Sequence, residues 1–129
     1  MITGADEIYV YHGGDYDYYS DVNVAKSLSL DDACVLAAFA MAIGDSDTGG
    51  ILASTSTGVV TDASWKCNSN GPTNWHMPDF DDAAWSQAMV VAPNDGSSWP
   101  VINGISAEAK WIWSQDTSTI SAYCRKTLC

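Results

Sequence analysis

Short apolar runs with alternating polar positions recur along this chain, and turn-forming residues separate them. Glu7-Ile8-Tyr9-Val10-Tyr11 is rich in β-branched and aromatic types and stops at His12-Gly13-Gly14, which predicts a strand entering a turn. The Asp/Tyr alternation of Asp15, Tyr16, Asp17, Tyr18 and Tyr19 fits either a polar edge strand or an exposed loop. Val22, Val24, Leu28 and Leu30 alternate with small or polar residues and predict a further strand, with Lys26 on its solvent side. Ala33 to Ile43 reads two ways. Its Ala, Leu and Met favour helix, and Asp31-Asp32 before it with Gly44 after it would bound one. Its all-β surroundings favour a central strand buried on both faces, and that is the reading taken. Strands are also expected at Ile51–Thr57, Ala88–Ala92, Lys110–Trp113 and Ile120–Leu128, with a short helical turn at Asp79–Ala84 capped by aspartates. Pro93 to Ser98 reads as loop, and Gln115 to Thr119 turns the chain. Strands at such intervals predict an all-β sandwich or barrel.

One stretch breaks the alternation. Trp65, Trp75, Phe80 and Trp85 are separated by Asn68-Ser69-Asn70-Gly71-Pro72-Thr73-Asn74 and by Asp79, Asp81 and Asp82. The spacing does not suit an amphipathic helix. It suits a loop whose aromatics are pinned onto a preformed β-scaffold while polar neighbours satisfy the backbone in turns.

The chain has 129 residues, 47% of them hydrophobic, which fits one domain spanning 1–129 with its own core and argues against disorder. The formal net charge is −11. A polyanion-binding protein needs a basic patch, so nucleic acid is not an expected partner. Ala33 to Ile43, the longest apolar run, is too short to cross a bilayer, so no membrane span is expected. The first residues lack the basic start and hydrophobic stretch of a signal peptide. Cys34, Cys67, Cys124 and Cys129 lack metal-ligand spacing. Two disulfides, in any of three pairings, are expected instead, and with them a secreted, extracellular location.

Asp79-Phe80-Asp81-Asp82-Ala83-Ala84-Trp85 resembles the Phe-Asp-Asp-small-small-Trp signature of galactose-binding-like jelly-roll domains, the sugar-binding β-sandwich modules appended to many glycoside hydrolases. The segment from Ile2 to Gly14 is similar to their opening strand and glycine turn. Thr61-Asp62-Ala63-Ser64-Trp65-Lys66 resembles their middle strand, and Ala109–Trp113 and Tyr123–Thr127 resemble their closing strands. Ala5-Asp6 and His12-Gly13 depart from the acidic pair and Asn-Gly or Asp-Gly turn common in the opening strand. The resemblance implies a jelly-roll sandwich of two antiparallel sheets, with short helical turns in its loops and a binding role carried by the domain itself.

Sugars are recognised by aromatic rings under their C–H faces and by polar groups at their hydroxyls. Trp75, Trp99, Tyr16 and Tyr18, with neighbouring Tyr19, are the candidate rings, and Asp15, Asp17, Asn74, His76, Asn94 and Asp95 the candidate polar partners. Trp65, Phe80, Trp85, Trp111 and Trp113 are assigned to the core or to loop anchoring. No cofactor is required. Ca²⁺ is the one ion with candidate oxygen ligands, at Asp45 and Asp47 or in the Asp15, Asp17 and Asp21 cluster, although Ser56 stands where an EF-hand loop would close with an acid. Asp81 and Asp82 read as capping residues rather than a catalytic pair, and no Gly-x-Ser-x-Gly is present, so no enzyme is expected. The expected function is non-catalytic, lectin-like binding of a carbohydrate or glycoprotein. The alternative is a structural subunit that self-associates into a homo-oligomer or filament in a fibre, coat or matrix.

Overall fold

A computed structural model of the protein describes residues 1–4, 7–12, 15–19, 34–41, 49–99, 101–116 and 120–128. Among them are ten strands and no helix: β1 (Ile2–Gly4), β2 (Glu7–His12), β3 (Asp15–Tyr19), β4 (Val35–Met41), β5 (Ile51–Ala53), β6 (Lys66–Asn68), β7 (Ser86–Gln87), β8 (Met89–Pro93), β9 (Lys110–Trp113) and β10 (Ser121–Thr127). They form a four-stranded sheet in the order β1-β5-β9-β8 and a six-stranded sheet in the order β3-β2-β4-β10-β6-β7. Every described pairing is antiparallel. The fold is an all-β sandwich.

Strand alternation decides which side chains meet between the sheets. Ile8 and Val10 of β2, Leu36, Ala38 and Ala40 of β4, and Ala122 and Cys124 of β10 face Ile2, Ile51, Ala53 and Ile112 of the smaller sheet. Trp65 and Trp113, both 0% exposed, fill the space between them. The Trp65 indole N–H donates to the Val60 carbonyl at 2.9 Å, so burying this large ring leaves its polar edge paired. Cys67 and Cys124 stand opposite each other on β6 and β10 and are joined by a disulfide. Cys34 is also disulfide-bonded, and Cys129 lies outside the described residues.

The ambiguous run is a strand. Val35–Met41 lies at the centre of the larger sheet with β2 on one side and β10 on the other. Its unbroken apolar run suits that place, because a strand covered on both faces buries apolar side chains on each. The Asp/Tyr segment is the edge strand β3, paired with β2 as a hairpin.

Two expectations are corrected. The strand expected at Ile51–Thr57 ends at Ala53. Beyond it Ser54 bridges Val60, the Thr55 N–H donates to the Val59 carbonyl, and Gly58 takes φ of 94°, closing a turn instead. Asp79–Ala84 holds no helical turn but two successive β-turns, in which the Phe80 N–H donates to the Met77 carbonyl and the Trp85 N–H to the Asp82 carbonyl. The strand expected at Ala88–Ala92 is present as β8, Met89–Pro93, paired with β9, and a short strand not expected from the sequence, β7, precedes it and pairs with β6 in the other sheet. The strand expected at Val22–Leu30 lies outside the described residues.

Candidate functional site

The outer face of the six-stranded sheet carries aromatic residues in register across four strands. Tyr18 of β3 pairs with Tyr9 of β2, Tyr9 with Phe39 of β4, and Phe39 with Tyr123 of β10. Ring centroids along this row are 4.9, 5.8 and 4.4 Å apart. One row over, Tyr16 pairs with Tyr11 at 5.5 Å, and Tyr11 pairs with Ala37. Alternation puts all of these on the side opposite Ile8 and Val10.

The loop between β6 and β7 covers half of this face. Ala37 leaves a gap in the second row, and the Trp75 indole lies over it, edge-on to Tyr11 at 5.3 Å and to Tyr123 at 5.0 Å. Trp85 stacks beside Trp75 at 6.3 Å, and Phe80 meets Trp85 at 5.5 Å. Gly71 lies flat on the Tyr123 ring, where a Cβ would come within 2.3 Å of it. Asn74 takes φ of 64°, a left-handed conformation that Asn tolerates, and its carbonyl accepts from the Met77 N–H.

A single buried cation holds the loop down. Arg125 projects from β10 and is 2% exposed. Its guanidinium donates to Asp82 at 2.5 Å, to the Met77 carbonyl at 2.7 Å and to the Phe80 carbonyl at 3.4 Å, and it lies 5.4 Å from the Phe80 ring centre. Asp81 caps no helix but closes a local turn, accepting from the Ala83 N–H at 3.0 Å. Asp82 is an ion-pair partner instead.

The uncovered half is a corner of three tyrosines. Tyr16 is 62% exposed and Tyr18 44%. Tyr9 is half-buried between them, its plane tilted 50° to Tyr18 and 44° to Tyr16. Phe39 and Tyr123 stack nearly parallel, 17° apart, which closes their faces against each other. The Tyr18 hydroxyl donates to the Glu7 carboxylate at the rim of the corner. That bond pushes the Tyr18 phenol up to about 12 from its ordinary 10.0. The neutral phenol is therefore favoured in the folded state, and its contribution is present below pH 10 and lost as the pH rises through about 12. Alkaline titration followed by tyrosinate absorbance should show one late-ionising exposed tyrosine, which Glu7→Gln returns to the ordinary range. An unchanged titration curve in Glu7→Gln would remove the bond.

The sequence candidates fall on two opposite sides of the sandwich. Tyr16, Tyr18, Trp75 and His76 come together on the larger sheet, with His76 half-buried and stacked on Tyr11 at 4.4 Å. Trp75 is 6% exposed, so its indole serves as packing rather than as an open platform. Asp17 interacts with the Tyr19 phenol on the other side of β3. Asp15 pairs with His12 in the ladder.

Trp99, Asn94 and Asp95 belong to the loop after β8, over the outer face of the smaller sheet. Trp99 packs on Trp111 at 4.7 Å, in a cluster with Leu52, Ile102 and Ile105. Asn94 is 2% exposed and knots this loop, accepting from the Ile102 N–H at 3.0 Å and donating to the Ile105 and Ser106 carbonyls. Asp95 is exposed and accepts from the Ser97 N–H at 2.9 Å. Hydrogen bonding from Ser97 holds its carboxyl below the usual range. Asp45, Asp47 and Asp21 lie outside the described residues, and no group of three or more metal-ligating side chains occurs among those described.

Sequence reasoning missed Tyr9, Tyr11, Phe39, Tyr123 and Glu7 as members of the site. The signal was present, since Tyr9 and Tyr11 alternate with Ile8 and Val10 and so share a face. Comparison with family models, curated proteins and solved structures found no match to this chain. No helix among the described residues is long and apolar enough to cross a membrane.

Proposed function

We propose that the protein is a secreted, non-catalytic carbohydrate-binding module of the galactose-binding-like jelly-roll class, and that the tyrosine corner of β2 and β3 is where the sugar sits. The observation that carries this reading is the exposure of Tyr16 and Tyr18 beside Tyr9 on an ordered sheet face. Exposed rings on a rigid scaffold present apolar faces to pyranose C–H groups at little entropic cost, and their phenols can bond sugar hydroxyls. The packed loop of Trp75 and Trp85 sets one wall of the face and keeps Tyr11 and Tyr123 in place. One sugar on one ring gives about millimolar affinity, roughly −4 kcal/mol, so useful binding relies on several rings or several copies.

Glycan-array screening followed by titration tests the reading. The double variant Tyr16→Ala/Tyr18→Ala should weaken binding of any glycan found by at least about tenfold, or about 1.4 kcal/mol. It should cost the fold no more than about 2 kcal/mol, since it removes two exposed cross-strand pairs worth up to about 1 kcal/mol each. Binding that survives the double variant would move the site elsewhere, and silence across a broad array would remove the function.

A further inference from the structure

We propose that the tyrosine corner selects an amino sugar carrying a free ammonium over its N-acetylated and its anionic counterparts. The inference rests on the carbohydrate reading above and adds the charge of the ligand. The Tyr9 ring lies 6.3 Å from Tyr16 and 4.9 Å from Tyr18, tilted 44° and 50° to them. Exposed aromatic rings tilted against one another offer electron-rich surfaces that attract an organic cation. The Glu7 carboxylate stands at its rim, fixed by the Tyr18 hydroxyl.

Among the described residues, Arg125, Lys66 and Lys126 are engaged away from the corner. Arg125 is ion-paired beneath the loop. Lys66 lies on β6, separated from β2 by β4 and β10, and reaches the Trp85 carbonyl. Lys126 donates to Ser64. The net charge of −11 adds a long-range field that draws cations and repels uronates and sulfated sugars. Rings account for sugar binding, and the carboxylate together with that field accounts for choosing the ammonium form.

Calorimetric titration at physiological salt tests this with four probes: a glucosamine trisaccharide, its fully N-acetylated form, a galacturonic acid trisaccharide and spermine. The free-amine trisaccharide should bind about tenfold or more tighter than the N-acetylated one, and the galacturonate should not bind measurably. Glu7→Gln should remove most of the preference, read as the ratio of the free-amine to the N-acetylated affinity, and Tyr18→Phe, which keeps the ring but frees Glu7, should reduce that ratio in part. Circular dichroism of each variant verifies the fold. Equal or tighter binding of the N-acetylated or anionic sugar overturns the inference and leaves the carbohydrate reading standing. Spermine binding as tightly as the trisaccharide, insensitive to Tyr16→Ala, reduces the effect to bulk charge and also overturns it. A dimer in sedimentation that Tyr16→Ala abolishes assigns the corner to a second copy of the chain and overturns it too. Failure of every trisaccharide to bind sinks the carbohydrate reading itself.

Discussion

Arg125→Met should lower the unfolding free energy by about 3 kcal/mol, near the low end of the 3–5 kcal/mol that follows breaking a buried ion pair. The methionine keeps much of the stem volume but none of the donors. The carbonyls of Met77 and Phe80 lose their partner, and Asp82 loses its counterion. Asp82 is 23% exposed and can regain water, which is why the low end is expected. For a chain of this size the loss corresponds to a fall in Tm of about 10 °C. Guanidinium denaturation measures it. Tryptophan fluorescence of the native variant should also shift, because Trp75 and Trp85 lie under the part of the loop that Arg125 fastens. A cost under about 1 kcal/mol, with native fluorescence, would mean that aromatic packing alone seats the loop. Arg125→Lys should recover only part of the loss, since one ammonium cannot reproduce the planar fork of the guanidinium.

Removing the Cys67–Cys124 disulfide with a paired Cys67→Ala/Cys124→Ala change should cost about 4 kcal/mol, the chain-entropy value for cross-linking residues separated by 57 positions. The bond sits between the sheets, with both cysteines at 1% exposure or less. It joins β10 to β6, a strand of only three residues that also starts the aromatic loop. Few ladder hydrogen bonds hold β6, so the covalent tie governs whether the base of that loop stays on the sheet. Equilibrium unfolding of the double variant checks the figure. A loss near zero would show that the β6–β10 pairing needs no cross-link. Weakened sugar binding in this variant, with Tyr16 and Tyr18 untouched, would show that the loop wall supports the corner from a distance.

Much of the scaffold was legible along the chain. Ile8 and Val10 alternate with Tyr9 and Tyr11 because a half-buried strand must do so, and β2 follows. The tryptophan-rich loop was legible as well, since indoles spaced by turn residues cannot form one face of a helix and must be held by something already folded. The assignment of Trp65, Trp85, Trp111 and Trp113 to packing agrees with their burial. The site was legible only in part. Tyr16 and Tyr18 were singled out for their loop-like, acidic setting, but Tyr9 joins them only through the hairpin register, and Phe39, remote in sequence, reaches Tyr9 only through the β2–β4 register. Trp99 and Asn94 share the composition of binding loops, yet the same aromatic and amide groups serve equally well to pin and knot a loop from inside.

By itself, then, the sequence determined the class of the fold, the oxidised cysteines and the acidic character, because these depend on periodicity and composition that every local window carries. Tertiary structure alone decided the rest. It made a strand of the alanine-rich Val35–Met41, since flanking strands satisfied its backbone and outweighed its helical preference. It paired Cys67 with Cys124 by setting them across one ladder. It also split the candidate residues between two outer faces of the sandwich, because which aromatic is left open depends on what folds over it, and that contact is never local.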